Sequence, residues 1–382
     1  MKLLVIVTGD YGELGAAMYF LHRLESVSRP MLLLPASLEH AIGATPELDV
    51  RTYRNLADLV GAFAIARPDA VLLASAYLLS INSGLSLGES ARLLHFLKRR
   101  RVALLTTDPF LGLLRDIRSL DFRDLRSRVG NRGSVLSASW RNMCRLYLAR
   151  FQLRRWWHIY PAPTERMLRK PDARHLSYFN PAAQYDDPDR QDAQQDPRQP
   201  AWLFVLSQVD YRMQFGVLGE RFVALLVDRL EDSIAQGRRA QLIGPRQLVD
   251  AVRMRLGTRA DITAHGDTTY AGYMYKLMAA EYAFFWNIYS FSVFHRVLGD
   301  RPTFFFDQGH LVQFVPAIGQ EGLRLFYDGW RPSLLALGGP LKRDELGQSE
   351  TAMRLQFRRI VDGLLGCPSP QEVLDRIKAD TR

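Results

Sequence analysis

The sequence predicts an α/β protein with two Rossmann-like domains, each built on a parallel sheet, facing each other across a cleft. Short apolar runs such as Leu3–Val7, Ala70–Ser75 and Thr303–Phe306 are typical of strands that are buried on both faces. Stretches of helical spacing separate these runs, as in βαβ units. At 382 residues the chain is also long for a single hydrophobic core.

The predicted domain boundary lies at segment 185–200, which is polar and rich in proline. We therefore predict a first domain over residues 1–184, a linker over 185–200 and a second domain over 201–382. The first domain is expected to carry an exposed basic insertion over residues 112–156.

Composition excludes several classes of protein. The chain has two cysteines, Cys144 and Cys367, so no disulfide framework is indicated and a reducing, cytoplasmic location is expected. No stretch reaches the roughly 18 apolar residues that a membrane-spanning helix needs.

The net charge of +10 is concentrated in one region. Segment Arg115–Arg174 holds 15 Lys or Arg and 5 Asp or Glu, an excess equal to that of the whole chain. Within it, 137–156 predicts a basic amphipathic helix whose apolar positions are Trp140, Cys144, Tyr147, Leu148 and Phe151, with Arg141, Arg145, Arg150 and Arg154 beside them. We expect this helix either to pack its apolar side on the core or to contact an anionic membrane surface.

The most informative stretch is Glu281–Gly309, which predicts strand, loop, helix and strand in turn. In open α/β sheets, ligands bind beyond the carboxyl ends of strands, and a helix that begins there offers free N–H groups to a phosphate. Polar residues follow both strands of this unit, and each of them has a simpler interpretation as a helix cap, turn or packing residue: Asn287, Tyr289, Ser290, Ser292, Asp307 and Gln308.

A second candidate region follows the first strand, where Thr8–Gly15 forms a glycine-bearing turn that includes Gly12. Asp10 and Glu13 are candidate bases there, although either carboxylate would also be stabilised at the start of a helix. Asp108 follows another predicted strand and is a candidate acceptor contact or an ordinary Asp-Pro turn.

These features together resemble the GT-B glycosyltransferases. The likeness rests on Leu3–Gly15, on the Asn-Pro segment Leu176–Pro181, and on Phe284–Gln308, which is similar to a donor-binding unit. Segments 10–15 and 289–307 are also similar to bacterial protein-arginine rhamnosyltransferases. This chain departs from them because Glu13 stands where their motif has Asp and because the donor loop lacks their acidic residue.

The resemblance implies that the second domain binds a nucleotide-sugar donor and the first an acceptor hydroxyl. Inverting transfer is expected because the Glu-x7-Glu pair of many retaining GT-B enzymes is missing, with Asp10 or Glu13 as base. Helix N-termini and arginines would hold the diphosphate, so neither a metal nor a cofactor is expected. Further donor contacts are expected after the earlier strands of the second domain: Ser207, Arg212, Gly244, Arg246, His265 and Tyr270.

Three alternatives remain open. A sugar-nucleotide epimerase shares the architecture, and a non-catalytic protein could keep the nucleotide-sugar site without the chemistry. Nucleic-acid binding through the basic segment is the least favoured, because no recognised module is present. For the transferase, we expect a glycan or lipid-linked acceptor at the inner face of the membrane.

Overall fold

The structure is a computed structural model. It describes residues 1–9, 11–43, 46–107, 133–161, 174–183, 200–257, 259–266, 268–288, 290–307, 323, 327 and 329–381.

The first sheet consists of seven described strands, and every pairing in it is parallel. The strands lie in the order β3-β2-β1-β4-β5-β6-β7. β1 and β4 are buried along their whole length, which explains why they are apolar at every position. The strand bounds are β1 Leu3–Val7, β2 Met31–Pro35, β3 Asp49–Tyr53, β4 Ala70–Ala74, β5 Ala103–Thr107, β6 Trp157–Tyr160 and β7 His175–Ser177.

The helices around this sheet begin at recognisable caps. The Asn55 side chain accepts a hydrogen bond from the Asp58 N–H, and Ser86 forms a capping box with Glu89. The helices are α1 Tyr11–Leu21, α2 Leu56–Ala66, α3 Leu79–Asn82, α4 Leu87–Lys98 and α5 Gly133–Leu153.

The basic segment 112–156 was expected to be an exposed insertion. Instead, its helix α5 belongs to the connection between the adjacent parallel strands β5 and β6. Ala149 and Leu153 of this helix are buried in the core. The expected apolar stripe faces the other way: Cys144 is exposed, and the exposed fractions of Tyr147, Leu148 and Phe151 are 42%, 53% and 70%. Of the two alternatives for this stripe, packing on the core is therefore wrong for these four residues, and membrane contact stays a prediction. The Trp140 side chain lies outside the described residues.

The second sheet is also parallel, with the strand order β10-β9-β8-β11-β12-β13. Its strands are β8 Ala201–Val205, β9 Arg239–Ile243, β10 Ile262–His265, β11 Tyr282–Phe285, β12 Thr303–Phe306 and β13 Leu334–Leu335. The remaining helices are α6 Gln208–Leu218, α7 Glu220–Ala235, α8 Arg246–Leu256, α9 Tyr270–Ala279, α10 Phe291–Leu298, α11 Arg343–Leu364 and α12 Pro370–Thr381.

The described chain divides into two compact units, one around each sheet. The first unit holds described residues 1–107, 137–183 and 362–381, and the second holds 133–136 and 200–361. The expected second domain, 201–382, therefore differs from this division at its C-terminal end. In the first unit the Phe179 N–H donates to the Pro368 carbonyl at 2.9 Å, and the Ser26 N–H donates to Gln371 Oε1 at 3.1 Å.

No helix in the described ranges combines the length and the apolar character needed to cross a lipid bilayer.

Candidate functional site

The strand order of the second sheet places a topological switch point between β8 and β11. The chain passes from β8 to β9 on one side and later adds β11 on the other. The loops that leave the carboxyl ends of β8 and β11 lead into α6 and α10. This is the position at which open α/β sheets bind ligands, and two helix N-termini begin there.

Ser207 ends the loop after β8 and caps α6. Its hydroxyl accepts a hydrogen bond from the Asp210 N–H at 3.1 Å and donates one to Asp210 Oδ2 at 2.7 Å. Arg212, expected in a loop, therefore lies on α6, where its side chain is exposed. The Ser-x-x-Asp spacing is a helix-start motif that could have identified this helix.

Ser290 and Ser292 begin α10, and their hydroxyls make different contacts. Ser290 is the N-cap and accepts a hydrogen bond from the Ser292 N–H at 3.1 Å. The Ser292 hydroxyl is buried and accepts a hydrogen bond from the Tyr273 hydroxyl at 2.5 Å. Ser292 thus joins α9 to α10, while Ser290 lies at the helix start.

The loops that follow β9 and β10 lie against each other. A Cβ atom on Gly266 would fall 3.2 Å from the Arg246 Cα. Gly244, the first residue after β9, is buried, and a Cβ there would lie 3.2 Å from the Leu248 side chain. Gly266 was not among the predicted site residues, although a glycine directly after a predicted strand is a sign of close backbone approach.

His265 and Tyr270 flank this loop pair. His265 ends β10 and is half-buried; burial lowers its pKa, and the cationic Lys276 and Arg253 lower it further. Tyr270 is the first residue of α9 and is buried, and Thr269 caps that helix by accepting a hydrogen bond from the Gly272 N–H.

Two more predicted donor residues lie at the same edge. Asn287 is half-buried in the loop after β11. Asp307 follows β12, and its Oδ1 accepts a hydrogen bond from the Leu337 N–H at 3.3 Å, which supports the loop after β13. Tyr289 and Gln308 lie outside the described residues.

The first sheet has its own switch point, between β1 and β4. The Thr8 hydroxyl donates to the Ala74 carbonyl at 2.7 Å, and the Ser75 N–H donates to the Thr107 hydroxyl at 2.8 Å. The carboxyl ends of β1, β4 and β5 are thereby held together. The candidate residues Asp10 and Asp108 come shortly after β1 and β5 in sequence but lie outside the described residues.

Glu13 is buried in α1, whereas Gly12 before it is half-buried. A Cβ on Gly9 would lie 3.0 Å from Glu13 Oε2 and 2.8 Å from the Asn82 Cβ. Burial raises the pKa of Tyr53, and the Glu13 carboxylate adds to that rise. The Tyr53 hydroxyl donates to the Val7 carbonyl at 2.8 Å. Glu13 therefore lies in a tight, buried setting behind the loop after β1.

The close contact at Gly9 leads to a prediction. Gly9→Ala is expected to lower the free energy of unfolding by about 1–3 kcal/mol, because the new methyl group meets the Asn82 Cβ, which cannot swing away. Gly61→Ala is the control: Gly61 is exposed within α2, where a Cβ meets no atom within 4 Å, and a gain of about 0.5–1 kcal/mol is expected there. Urea denaturation measures both, and equal midpoints for the two variants would contradict the steric argument.

Helix α10 carries a histidine that sequence reasoning did not single out. His295 is buried, with ring contacts to Phe291 and Phe294. Burial lowers its pKa to about 3. Because this value lies below that of the unfolded chain, the stabilising contribution is complete above about pH 6.5 and is lost as the pH falls toward 3.

We therefore expect His295 alone to lower the free energy of unfolding by about 2 kcal/mol as the pH falls from 7 to 5. Subtracting the pH dependence of His295→Leu from that of the native chain in urea denaturation isolates this contribution. The exposed His95 of α4, replaced in the same way, serves as the control. Parallel pH profiles for the native chain and His295→Leu would refute the assignment.

Within the described part of the chain, no group of three or more His, Cys, Asp or Glu side chains could hold a metal ion.

Comparison with known proteins identifies the fold. No protein-family model matches the chain, and no curated protein sequence matches it. It is similar in structure to spinosyn forosaminyltransferase SpnP, with a TM-score of 0.56, 14% identity and coverage of 100% of this chain and 99% of that one. The glycosyltransferase VinC, solved in complex with dTDP, gives a TM-score of 0.51 at 11% identity, covering 100% and 99%.

A protein described as a putative UDP-N-acetylglucosamine 2-epimerase from Listeria monocytogenes is also similar. Its TM-score is 0.50 at 14% identity, and the match covers 99% of this chain and 96% of that one. Two parallel sheets in an α/β arrangement, matched over the whole length of such structures, define the GT-B fold. The predicted fold class is confirmed: this chain has the GT-B fold.

Proposed function

We propose that the chain is a glycosyltransferase that uses a nucleotide-sugar donor. The observation that carries the proposal is the switch point of the second sheet, where α6 and α10 both begin. The N–H groups and partial positive charge of a helix start suit a diphosphate. We place the donor diphosphate near Ser290, with Asn287 and Tyr289 in the same loop.

Two arginines support this placement. Arg212 on α6 and Arg246 at the start of α8 are exposed, and neither makes an ion pair within the described ranges. Guanidinium groups bind phosphate through paired N–H donors. Ser207, Gly244, His265 and Tyr270 would then line the donor site, with Asp307 and Gln308 near the sugar or ribose hydroxyls.

The similar structures support the proposal. SpnP is described as a forosaminyltransferase and VinC as a glycosyltransferase in complex with dTDP. Thermal unfolding with UDP-, GDP-, CMP- and dTDP-sugars tests the donor class, because a ligand that binds only the folded state raises Tm. We expect one nucleotide series to stabilise the chain and to be slowly hydrolysed. Absence of any shift at millimolar donor would refute the proposal, and stabilisation without turnover would favour a binding protein.

For the chemistry, we propose inverting, metal-independent transfer. Asp10 would accept the proton of the acceptor hydroxyl while that oxygen attacks the anomeric carbon and the nucleoside diphosphate departs. Asp108 would contact the acceptor, and Glu13 is the second candidate base. Asp10→Asn is expected to abolish transfer while leaving donor-induced stabilisation intact. Full activity of that variant would eliminate Asp10 as the base.

The proposed acceptor is a glycan or a lipid-linked carrier at the cytoplasmic face of a membrane. Support comes from α5, which exposes Leu148 and Phe151 beside arginines. Co-sedimentation with anionic vesicles tests this docking. It should be lost when the arginines on the helix and directly after it are replaced by Glu, namely Arg141, Arg145, Arg150 and Arg154.

An epimerase is the second candidate, because the protein described as a putative 2-epimerase has the same fold over its whole length. The two activities differ in their need for an acceptor. An epimerase converts the nucleotide-sugar in the absence of any other substrate, and NMR of the donor after incubation would show inversion at a ring carbon. A donor that is hydrolysed but never epimerised favours the transferase.

A further inference from the structure

A cavity of about 360 Å³ lies in the first unit. It is bounded by α5 and by strands β6 and β7, and its lining residues are Tyr77, Tyr147, Arg150, Phe151, Arg154, His158 and His175. We propose that this cavity binds the phosphate head group of a membrane amphiphile. The proposal rests on the proposed membrane docking of α5 and identifies what that surface would recognise.

One face of α5 supplies the wall of the cavity. Tyr147, Arg150 and Phe151 form one stripe of the helix, and Arg154 lies in the turn directly after its last residue, Leu153. This stripe is separate from the core-facing one, which includes Leu153. The Arg154 guanidinium lies over the Phe151 ring, 5.1 Å from its centroid. Two cationic groups and two aromatic rings thus border one opening.

The floor of the cavity is a buried polar network. The Tyr77 hydroxyl and His158 Nε2 are 2.9 Å apart, and His158 Nδ1 is 2.9 Å from the Trp156 carbonyl. Since a carbonyl only accepts, Nδ1 of His158 is the donor in that contact, and in the neutral ring Nε2 accepts from Tyr77. The His175 ring stacks on His158 with centroids 4.5 Å apart, and its Nδ1 is 2.8 Å from the Tyr160 hydroxyl.

The cationic, polar and apolar side chains around the cavity together favour a phosphate head group that carries acyl chains. Arginines bind a phosphate with charge-assisted hydrogen bonds, and Tyr147, which also lines the cavity, carries a hydroxyl that can bind its ester or hydroxyl oxygens. The volume suits a head group and not acyl chains. The exposed Leu148 and Phe151 lie beside the opening, where apolar chains would continue into a bilayer. A free phosphate would use the arginines but would leave these apolar side chains without a role.

The test compares two pairs of substitutions in the full-length chain. Arg150→Gln with Arg154→Gln alters the cavity, whereas Arg101→Gln with Arg155→Gln removes the same charge from exposed positions that do not line it. Binding is measured with phosphatidylcholine vesicles that contain about 20 mol% phosphatidic acid, for which each nearby Arg contributes severalfold in affinity. We expect the cavity pair to lose about tenfold or more and the control pair to lose much less.

Two additional measurements separate the sources of phosphate. Dihexanoyl phosphatidic acid, which is monomeric, should raise Tm, and inorganic phosphate at equal concentration should not. Phe151→Ser, at a position that is 70% exposed, should weaken vesicle binding and leave the Tm of the lipid-free chain nearly unchanged.

Three results would overturn the inference. Equal losses for the two arginine pairs would show general surface attraction, and equal stabilisation by inorganic phosphate would show a plain anion site. Absence of vesicle binding by the native chain would remove the premise. The nucleotide-sugar melting shift is measured in parallel: if it persists while lipid binding fails, only the cavity assignment fails, and if it is also absent, the proposed transferase function fails as well.

Discussion

Arg296→Met is expected to lower the free energy of unfolding by about 4 kcal/mol or more. Arg296 lies on α10 and is fully buried, with an exposed fraction of 0%. Its guanidinium donates to the carbonyls of Leu277 and Ala280 at 2.8 Å each, to that of Glu281 at 3.3 Å and to that of Pro302. Methionine fills much of the volume but leaves these buried acceptors without a donor.

Burial lowers the pKa of Arg296, and the nearby cations Arg301 and Arg354 contribute to that. No carboxylate is among its hydrogen-bond partners in the described residues, so this arginine joins α9, α10 and β12 through backbone carbonyls. Arg358→Met is the matched control, because that side chain is 66% exposed and pairs with Asp300 at the surface. The control should lose less than about 1 kcal/mol. Similar urea midpoints for the two variants would show that Arg296 is not a structural clamp.

The double variant Arg212→Glu with Arg246→Glu is expected to weaken donor binding at least about a hundredfold. The reason is that two charge-assisted hydrogen bonds to the diphosphate are replaced by repulsion. Isothermal titration with the stabilising nucleotide-sugar measures the Kd. Tm without ligand should be nearly unchanged, since both side chains are exposed.

Arg259→Glu provides the control for this charge reversal. Arg259 precedes β10, at the opposite edge of the sheet, and its partners Asp261 and Glu231 are surface carboxylates. Its substitution should leave the Kd within about twofold, because an exposed charge beyond the Debye length is screened. If the double variant also bound donor normally, the diphosphate could not lie at the edge formed by the loops after β8 and β9.

The fold could be predicted from short apolar runs in the sequence. β1, β4, β11 and β12 are continuous apolar stretches because both faces of each parallel sheet are covered, and this pattern is visible without coordinates. The division of units was harder to predict, because α12 packs in the first unit although it follows the second sheet in sequence. Only long-range packing determines that assignment.

The positions of several candidate residues at strand ends were predicted, whereas their role in binding stays a prediction. The strand ends at Ser207, His265 and Asn287 do lie at the carboxyl edge of the second sheet, since chain order and parallel pairing place them there. The hydrogen-bond partners of individual hydroxyls could not be predicted. The Ser292 hydroxyl, for example, accepts a hydrogen bond from Tyr273, which lies 19 residues earlier in the chain. The apolar stripe of α5 was predicted, but its direction was left open, because alternate helix faces have similar spacing and only the packed strands select which face is buried.

The packing of α12 in the first unit, although it follows the second sheet in sequence, has a consequence for folding during translation. Val373, Leu374 and Ile377 are buried in a unit whose first strand, β1, is synthesised long before them. That unit lacks one wall until residue 381 has left the ribosome, so translation of the entire second sheet must precede its completion. A nascent chain halted before Pro370 would present an open apolar face to chaperones and proteases.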